Sequence, residues 1–105
     1  MKILCLFTDI FFLPAIREAF KDHEVQVLEN YKDEKFDLLI IDMDHFQSYD
    51  VCKKFPEKSF CFGSHMDTKK MKKFRETGCK NVYPRSVFLK KLEQLKQSFP
   101  QSQHL

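Results

Sequence analysis

Tryptophan is absent from these 105 residues, and glycine and proline are scarce, at two and four. That scarcity excludes collagen-like, low-complexity and linker-rich organisation. Long apolar runs are also missing, so nothing approaches the roughly 20 residues of a membrane span. Met1-Lys2 precedes only five apolar residues before Thr8-Asp9, too few for the core of a signal peptide. Neither sign of charge dominates: 18 basic against 15 acidic side chains give +3 and a pI near 8.7. Such a mildly basic surface suits a cytoplasmic protein and lacks the dense patch that nucleic-acid binding calls for. Cys5, Cys52, Cys61 and Cys79 form no CxxC pair, and the four histidines show no metal-ligand spacing to them. They read as reduced, mostly buried thiols.

What remains is enough for one domain with one core, rich in its twelve phenylalanines. Ile3 to Phe7 reads as a strand buried on both faces. Leu13, Ile16 and Phe20 recur at helical spacing, and Pro14 is tolerated in a first turn. "EVQVL" (24 to 28) alternates like a half-covered strand, and "ENYKDEK" is too short for more than a turn or two of helix. Phe36 to Ile41 is a second wholly apolar strand. "SYDVCKKF" predicts a short helix stopped by Pro56, and "SFCF" (59 to 62) the next strand. Asp67 is placed to cap "TKKMKKFRETG", with Gly78 as its stop. Asn81 to Pro84 is a last strand, put at a sheet edge by Pro84. Ser86 can cap a final helix striped by Phe88, Leu92, Leu95 and Phe99 and ended by Pro100.

Strands alternating with helices imply an α/β fold on a mostly parallel sheet. Reactive groups in such sheets gather at the carboxyl ends of the strands. Along that rim the sequence offers Thr8 and Asp9, then Asp42 and Asp44, then Gly63 and Ser64, and finally Arg85. A carboxylate at the mouth of the apolar run "FDLLIID" invites a chemical reading.

This constellation resembles the CheY-like receiver domain of two-component response regulators over nearly the whole chain. Phe36-Asp37-Leu38-Leu39-Ile40-Ile41-Asp42 is similar to the family's third strand, with Asp42 in the phosphoacceptor place. Gly63, Asp67, Gly78 and Arg85 stand at the family's spacings, and "ETGCKNVYPRS" is similar to its "E-A-G-A-D-D-Y-L-x-K-P". The resemblance implies a flavodoxin-like three-layer sandwich spanning 1–99. Its five-stranded parallel sheet would have the order 2-1-3-4-5, with shortened second and third helical connections; residues 100–105 would form a flexible tail or linker start.

Departures from the pattern fall where the chemistry lies. The acidic pair that holds Mg²⁺ is reduced to Thr8 and Asp9, so any metal would rest on Asp9 and Asp42. Gly63 replaces the phosphoryl-recognising hydroxyl, with Ser64 adjacent, and Arg85 replaces the lysine. Val82 takes the place of the switching aromatic, while Tyr83 is one position off and faces the other way. Mg²⁺ supplies much of the charge neutralisation in phosphoryl transfer, and it leans on one or two protein carboxylates. An arginine fork also matches a carboxylate in two prongs. The expectation is therefore an Asp42–Arg85 pair standing in for metal and phosphate.

The function expected is signalling by protein–protein contact, without catalysis and without a cofactor; Mg²⁺ would enter only if the acidic site worked. The resemblance implies a histidine kinase as the input, and the reduced acidic site argues against one. The contact face implied by the resemblance is the family's fourth helix, fifth strand and fifth helix, engaging a protein partner or a second copy. Here that face carries Lys69, Lys70, Lys72, Lys73, Arg75, Val82 and Tyr83. No membrane is expected, and nucleic acid only through a separate output domain. The alternative is a phosphorylation-competent receiver using Asp42 with Mg²⁺. A third reading is a haloacid-dehalogenase-like phosphatase, with Asp42 as nucleophile and Asp44 as general acid. His45 and Phe46 break that motif, and Asp44 reads more simply as a solvated loop acid. Phe11 and Phe12 either cap the core or, if exposed, offer an apolar patch.

Overall fold

The computed structural model describes residues 1–97. Its elements, in chain order, are β1 (Lys2–Leu6), α1 (Leu13–Ala19), β2 (Glu24–Leu28), β3 (Leu38–Asp42), α2 (Ser48–Lys54), β4 (Ser59–Gly63), α3 (Thr68–Arg75), β5 (Val82–Pro84) and α4 (Arg85–Gln97). All strand pairs are parallel and the order is β2-β1-β3-β4-β5. The wholly apolar segments β1, β3 and β4 take the interior of the sheet. Alternating β2 and the proline-bearing β5 take its edges, where a missing ladder donor costs least.

Side-chain alternation divides the core in two. Ile3, Cys5, Leu38, Ile40, Phe60 and Phe62 face α1 and α4, meeting Ile16, Phe20, Phe88 and Leu92. Leu4, Leu6, Leu39, Ile41 and Cys61 face α2 and α3, meeting Val51, Cys52, Met71 and Phe74. The three-layer arrangement follows from strands that are apolar on both faces.

Local punctuation also acts as its chemistry requires. Pro14 sits in the first turn of α1. The Asp67 carboxylate accepts from the Lys70 N–H at 3.3 Å, capping α3. Gly78, at φ 101, turns the chain after α3 in a conformation that side chains disfavour.

Two details differ from expectation. The connection from β2 to β3 carries no helix at all; Tyr31 and Phe36 fill that place, with rings 6.0 and 5.0 Å from Phe55. The last helix starts at Arg85 itself, so Ser86 lies inside it rather than capping it. Pro84, with its fixed φ, passes directly into that first turn. The predicted Phe99–Pro100 helix end and the 100–105 tail lie outside the described residues.

Candidate functional site

Asp42 ends β3 on the α1/α4 side of the sheet, and it is fully buried. A carboxylate there must find donors or suffer a severe desolvation cost. It finds four. The Thr8 hydroxyl donates to Oδ2 at 2.6 Å and the Thr8 N–H at 3.3 Å. The Asp44 N–H donates to Oδ1 at 3.0 Å. The Arg85 Nη2 lies 3.5 Å from Oδ1 and 3.4 Å from Oδ2.

The arginine contact is not the two-pronged fork that the sequence suggests. A single nitrogen straddles both oxygens, at distances well beyond the 2.7–2.9 Å of a strong charge-assisted bond. The cause is visible in how Arg85 is held. Its guanidinium lies over the Phe62 ring at 5.0 Å and the Phe12 ring at 5.9 Å. Stacking on aromatic faces fixes the plane of the guanidinium, so Asp42 meets one corner of it. A cation in the first turn of a helix opposes the helix dipole, and the two acids facing Arg85 offset that.

The second acid is Asp44, 3.9 Å from the same Nη2. Asp44 is half exposed, yet its Oδ1 also accepts from Lys70 Nζ at 2.9 Å, and Lys70 reaches Asp67 Oδ2 at 3.5 Å. This corrects the reading of Asp44 as merely hydrated. It also removes Lys70 from the outer face of α3, because its ammonium belongs to the rim. The hydrogen bond to Asp44 raises the Lys70 pKa above 10.5, against a smaller lowering by burial.

Other rim residues are placed differently. Asp9 is exposed, and its Oδ1 accepts the Phe11 N–H at 2.9 Å. The Ser64 hydroxyl accepts the Met66 N–H at 3.1 Å, within its own loop. Gly63 lies against Met43, and a Cβ there would collide with the Met43 Cε. The space a hydroxyl-bearing side chain would occupy is filled by thioether. Among the described residues, the one set of three His, Cys, Asp or Glu ligand atoms within 4.8 Å of one another is Cys52, Cys61 and Cys79. Asp9, Asp42 and Asp44 do not converge in that way.

On the opposite side of Asp44 the chain is anchored by His45, which the sequence offered only as a break in the phosphatase motif. It is buried, its Nε2 lies 2.7 Å from the Glu29 carbonyl, and its Nδ1 accepts the Gln47 N–H at 3.0 Å. Those partners assign the proton to Nε2. Phe12 joins the core, whereas Phe11 is 76% exposed. Ile10, Phe46 and Met66 are likewise exposed, on the loops after β1, β3 and β4.

Of the expected contact face, Lys69, Lys72, Lys73 and Arg75 are exposed. Arg75 is nevertheless tied to the Val82 carbonyl at 2.9 Å, and Lys73 lies over the Tyr49 ring at 4.1 Å. Val82 is wrongly included, since it is buried beneath α3 at 1% exposure. Tyr83 points to the other face, with its ring 5.3 Å from Phe60 and its hydroxyl donating to Asn81 Oδ1 at 3.0 Å.

No family model and no curated protein matches the sequence. Solved structures match it in fold. The signal receiver domain of a DNA-binding response regulator (merR) from Colwellia psychrerythraea 34H superposes with TM-score 0.71 at 12% identity, over 93% of this chain and 99% of that one. A response regulator from Thermotoga maritima gives 0.69 at 14% identity, over 91% and 93%. A response regulator receiver domain from Rhodospirillum rubrum gives 0.62 at 14% identity, over 91% of each. At such identities a likeness speaks for the backbone alone, and what it establishes is that this chain has the receiver-domain fold, a five-stranded parallel sheet in the order 2-1-3-4-5.

Proposed function

We propose that the chain is a receiver-like signalling domain in the cytoplasm that works by protein contact, with its acid site held in one state rather than switched by phosphorylation. The observation that carries this reading is the saturation of Asp42. Both carboxylate oxygens accept from Thr8, Asp44 and Arg85, so attack on a phosphoryl donor would first have to break those contacts.

Mg²⁺ does not fit this donor set. The ion wants near-octahedral oxygen ligands, several of them water. Here a guanidinium stands at the carboxylate, and the Asp9 oxygen is engaged by its own loop. Asp44, the acid required by a phosphatase reading, is paired with Lys70 and Arg85, so the same geometry speaks against that chemistry. Contact with a protein partner or a second copy falls to the exposed bases of α3 with Tyr83 and α4. Among the described residues, no helix is long and apolar enough to cross a membrane.

The test is uptake of beryllofluoride with Mg²⁺, followed by amide NMR shifts around β3 and β4. The expected result is no stoichiometric change near Asp42. One-to-one uptake that vanishes in Asp42→Asn would overturn the proposal in favour of a phosphorylation-competent receiver.

A further inference from the structure

Across the sheet from Asp42, three cysteines that are distant in sequence meet. Cys52 comes from α2, Cys61 from the middle of β4, and Cys79 from the turn after α3. All three are buried and unpaired by disulfides. Their sulfurs lie within 4.8 Å of one another, and those of Cys52 and Cys61 are 3.8 Å apart. Around an ion with metal–sulfur bonds near 2.3 Å, sulfurs stand about 4.0 Å apart in a trigonal plane and about 3.8 Å apart on a tetrahedron. The cluster needs adjustments of under an ångström to close on such an ion.

We propose that Cys52, Cys61 and Cys79 form a three-coordinate site for a soft d¹⁰ cation, and that Cu(I) is the ion it takes. Two arguments converge on it. Soft sulfur ligands select soft ions, Cu(I) among them. Structural zinc is almost always four-coordinate, and among the described residues no histidine or carboxylate joins this group. The oxygens nearest the sulfurs are neutral and hard: the Thr77 hydroxyl is 3.5 Å from Cys52 Sγ, and the Ser59 and Asn81 carbonyls accept from Cys79 Sγ at 3.2 and 3.7 Å. Met71, Phe74 and Val82 belong to the same buried cluster. Sulfurs that bind a metal ion do so deprotonated, so three thiol protons leave for solvent as the ion enters.

The route in is short. Cys79 lies on a turn whose neighbours Gly78 and Lys80 are exposed. The site is independent of the reading given to Asp42, because no rim residue takes part in it.

The deciding experiment is anaerobic titration of the reduced full chain with Cu(I) against a competing chelator. The expected result is one ion per chain, with thiolate-to-copper absorption, luminescence of a solvent-shielded site and a higher melting temperature. Cys5→Ala, which alters the opposite core, should retain uptake. Cys52→Ser, Cys61→Ser and Cys79→Ser should each lose at least the roughly 10–100-fold that an outer-shell partner alone is worth. Uptake undiminished in any of those three, refusal by the wild-type chain, or preference for Zn(II) over Cu(I) would overturn the site. Should a serine variant fail to fold, copper-edge absorption on the wild-type chain decides. Three sulfur neighbours sustain the proposal, and nitrogen or oxygen ligands overturn it.

Discussion

The two faces of the sheet are filled with different chemistry. Toward α1 and α4 the interior is aromatic: the Phe88 ring lies 4.5 Å from Phe62, 5.0 Å from Phe12 and 5.4 Å from Phe60. Toward α2 and α3 it is rich in sulfur, with Met43, Met71, Cys52, Cys61 and Cys79 among leucine and isoleucine, and apart from Phe74 its rings are only partly buried. Aromatic rings have few rotamers and preferred mutual angles, whereas methionine adapts to irregular gaps. The difference reaches the rim. The aromatic face ends in the rings that hold Arg85 beside Asp42. The sulfur face ends in Met43, which fills the space beside Gly63.

The largest blow to this contrast is Phe88→Ala, which removes the ring shared by three others. A loss of about 3–5 kcal/mol is expected, because a stiff aromatic cluster closes poorly around a void. Met71→Ala on the opposite face should cost less, about 2–3 kcal/mol, because flexible thioether and thiol neighbours can close on the void. Urea denaturation measures both. Equal losses would show that the faces do not differ in adaptability.

Next in size is Gly63→Thr, which places a branched side chain where Met43 lies. The Met43 Cε is the far end of a flexible side chain and can swing aside, so the cost falls at the low end of the roughly 1–3 kcal/mol of overpacking. Combined with Met43→Ala, the two substitutions should be less damaging than their sum, a favourable coupling within the 0.5–3 kcal/mol seen for residues in contact. Additive losses would mean that Met43 does not set the size of residue 63.

Asp42→Asn probes the aromatic face at its polar end. The amide presents donors to N–H and O–H groups that already donate, so a buried group goes unsatisfied at about 1–3 kcal/mol. The Thr8 hydroxyl can turn to soften this, which puts the expected loss in the lower half of that range. Arg85→Ala should cost less. Its nitrogen is 3.4 Å from the carboxylate and its side chain about a third exposed. Three donors stay on the buried Asp42 when it goes. They hold the loss to about 1 kcal/mol, below the roughly 3–5 kcal/mol of a buried pair broken with nothing left to compensate. If Arg85→Ala proved costlier than Asp42→Asn, the arginine rather than the Thr8 hydroxyl would be the chief partner of Asp42.

How far these features were legible in the sequence depends on whether they run along the chain or across it. The strands β1, β3 and β4 show as apolar runs, the edges as an alternating strand and a proline, and the α3 cap as Asp67, because each signal is local. Asp42 and Arg85 could be set on one rim because strand ends in a parallel sheet share a side. The register that brings Lys70 to Asp44, and the three cysteines together, is fixed by pairing between elements and leaves no periodic trace. Val82 misled for another reason. Its position in a motif suggested a surface, whereas the alternation Val82-Tyr83 in β5 decides which side chain turns inward. Gly63 looked like a lost hydroxyl; only the contact with Met43 shows what took its place.

The smallest expected effect belongs to Lys70, and its sign can be worked out. The hydrogen bond with Asp44 raises the lysine pKa above 10.5 in the folded state. The stabilisation is therefore fully present below pH 10.5 and is lost as the pH climbs through the raised folded value. A side chain about one-third exposed is screened by solvent, so Lys70→Met at neutral pH should cost about 0.5 kcal/mol. That cost should shrink with added salt and vanish in strong alkali, where the wild-type lysine is itself neutral. Denaturation of both proteins, at neutral pH and again above pH 10.5, at low and high salt, reads out the difference. A gap unchanged by pH and salt would show that Lys70 supports the rim through the packing of its aliphatic stem, with its charge idle.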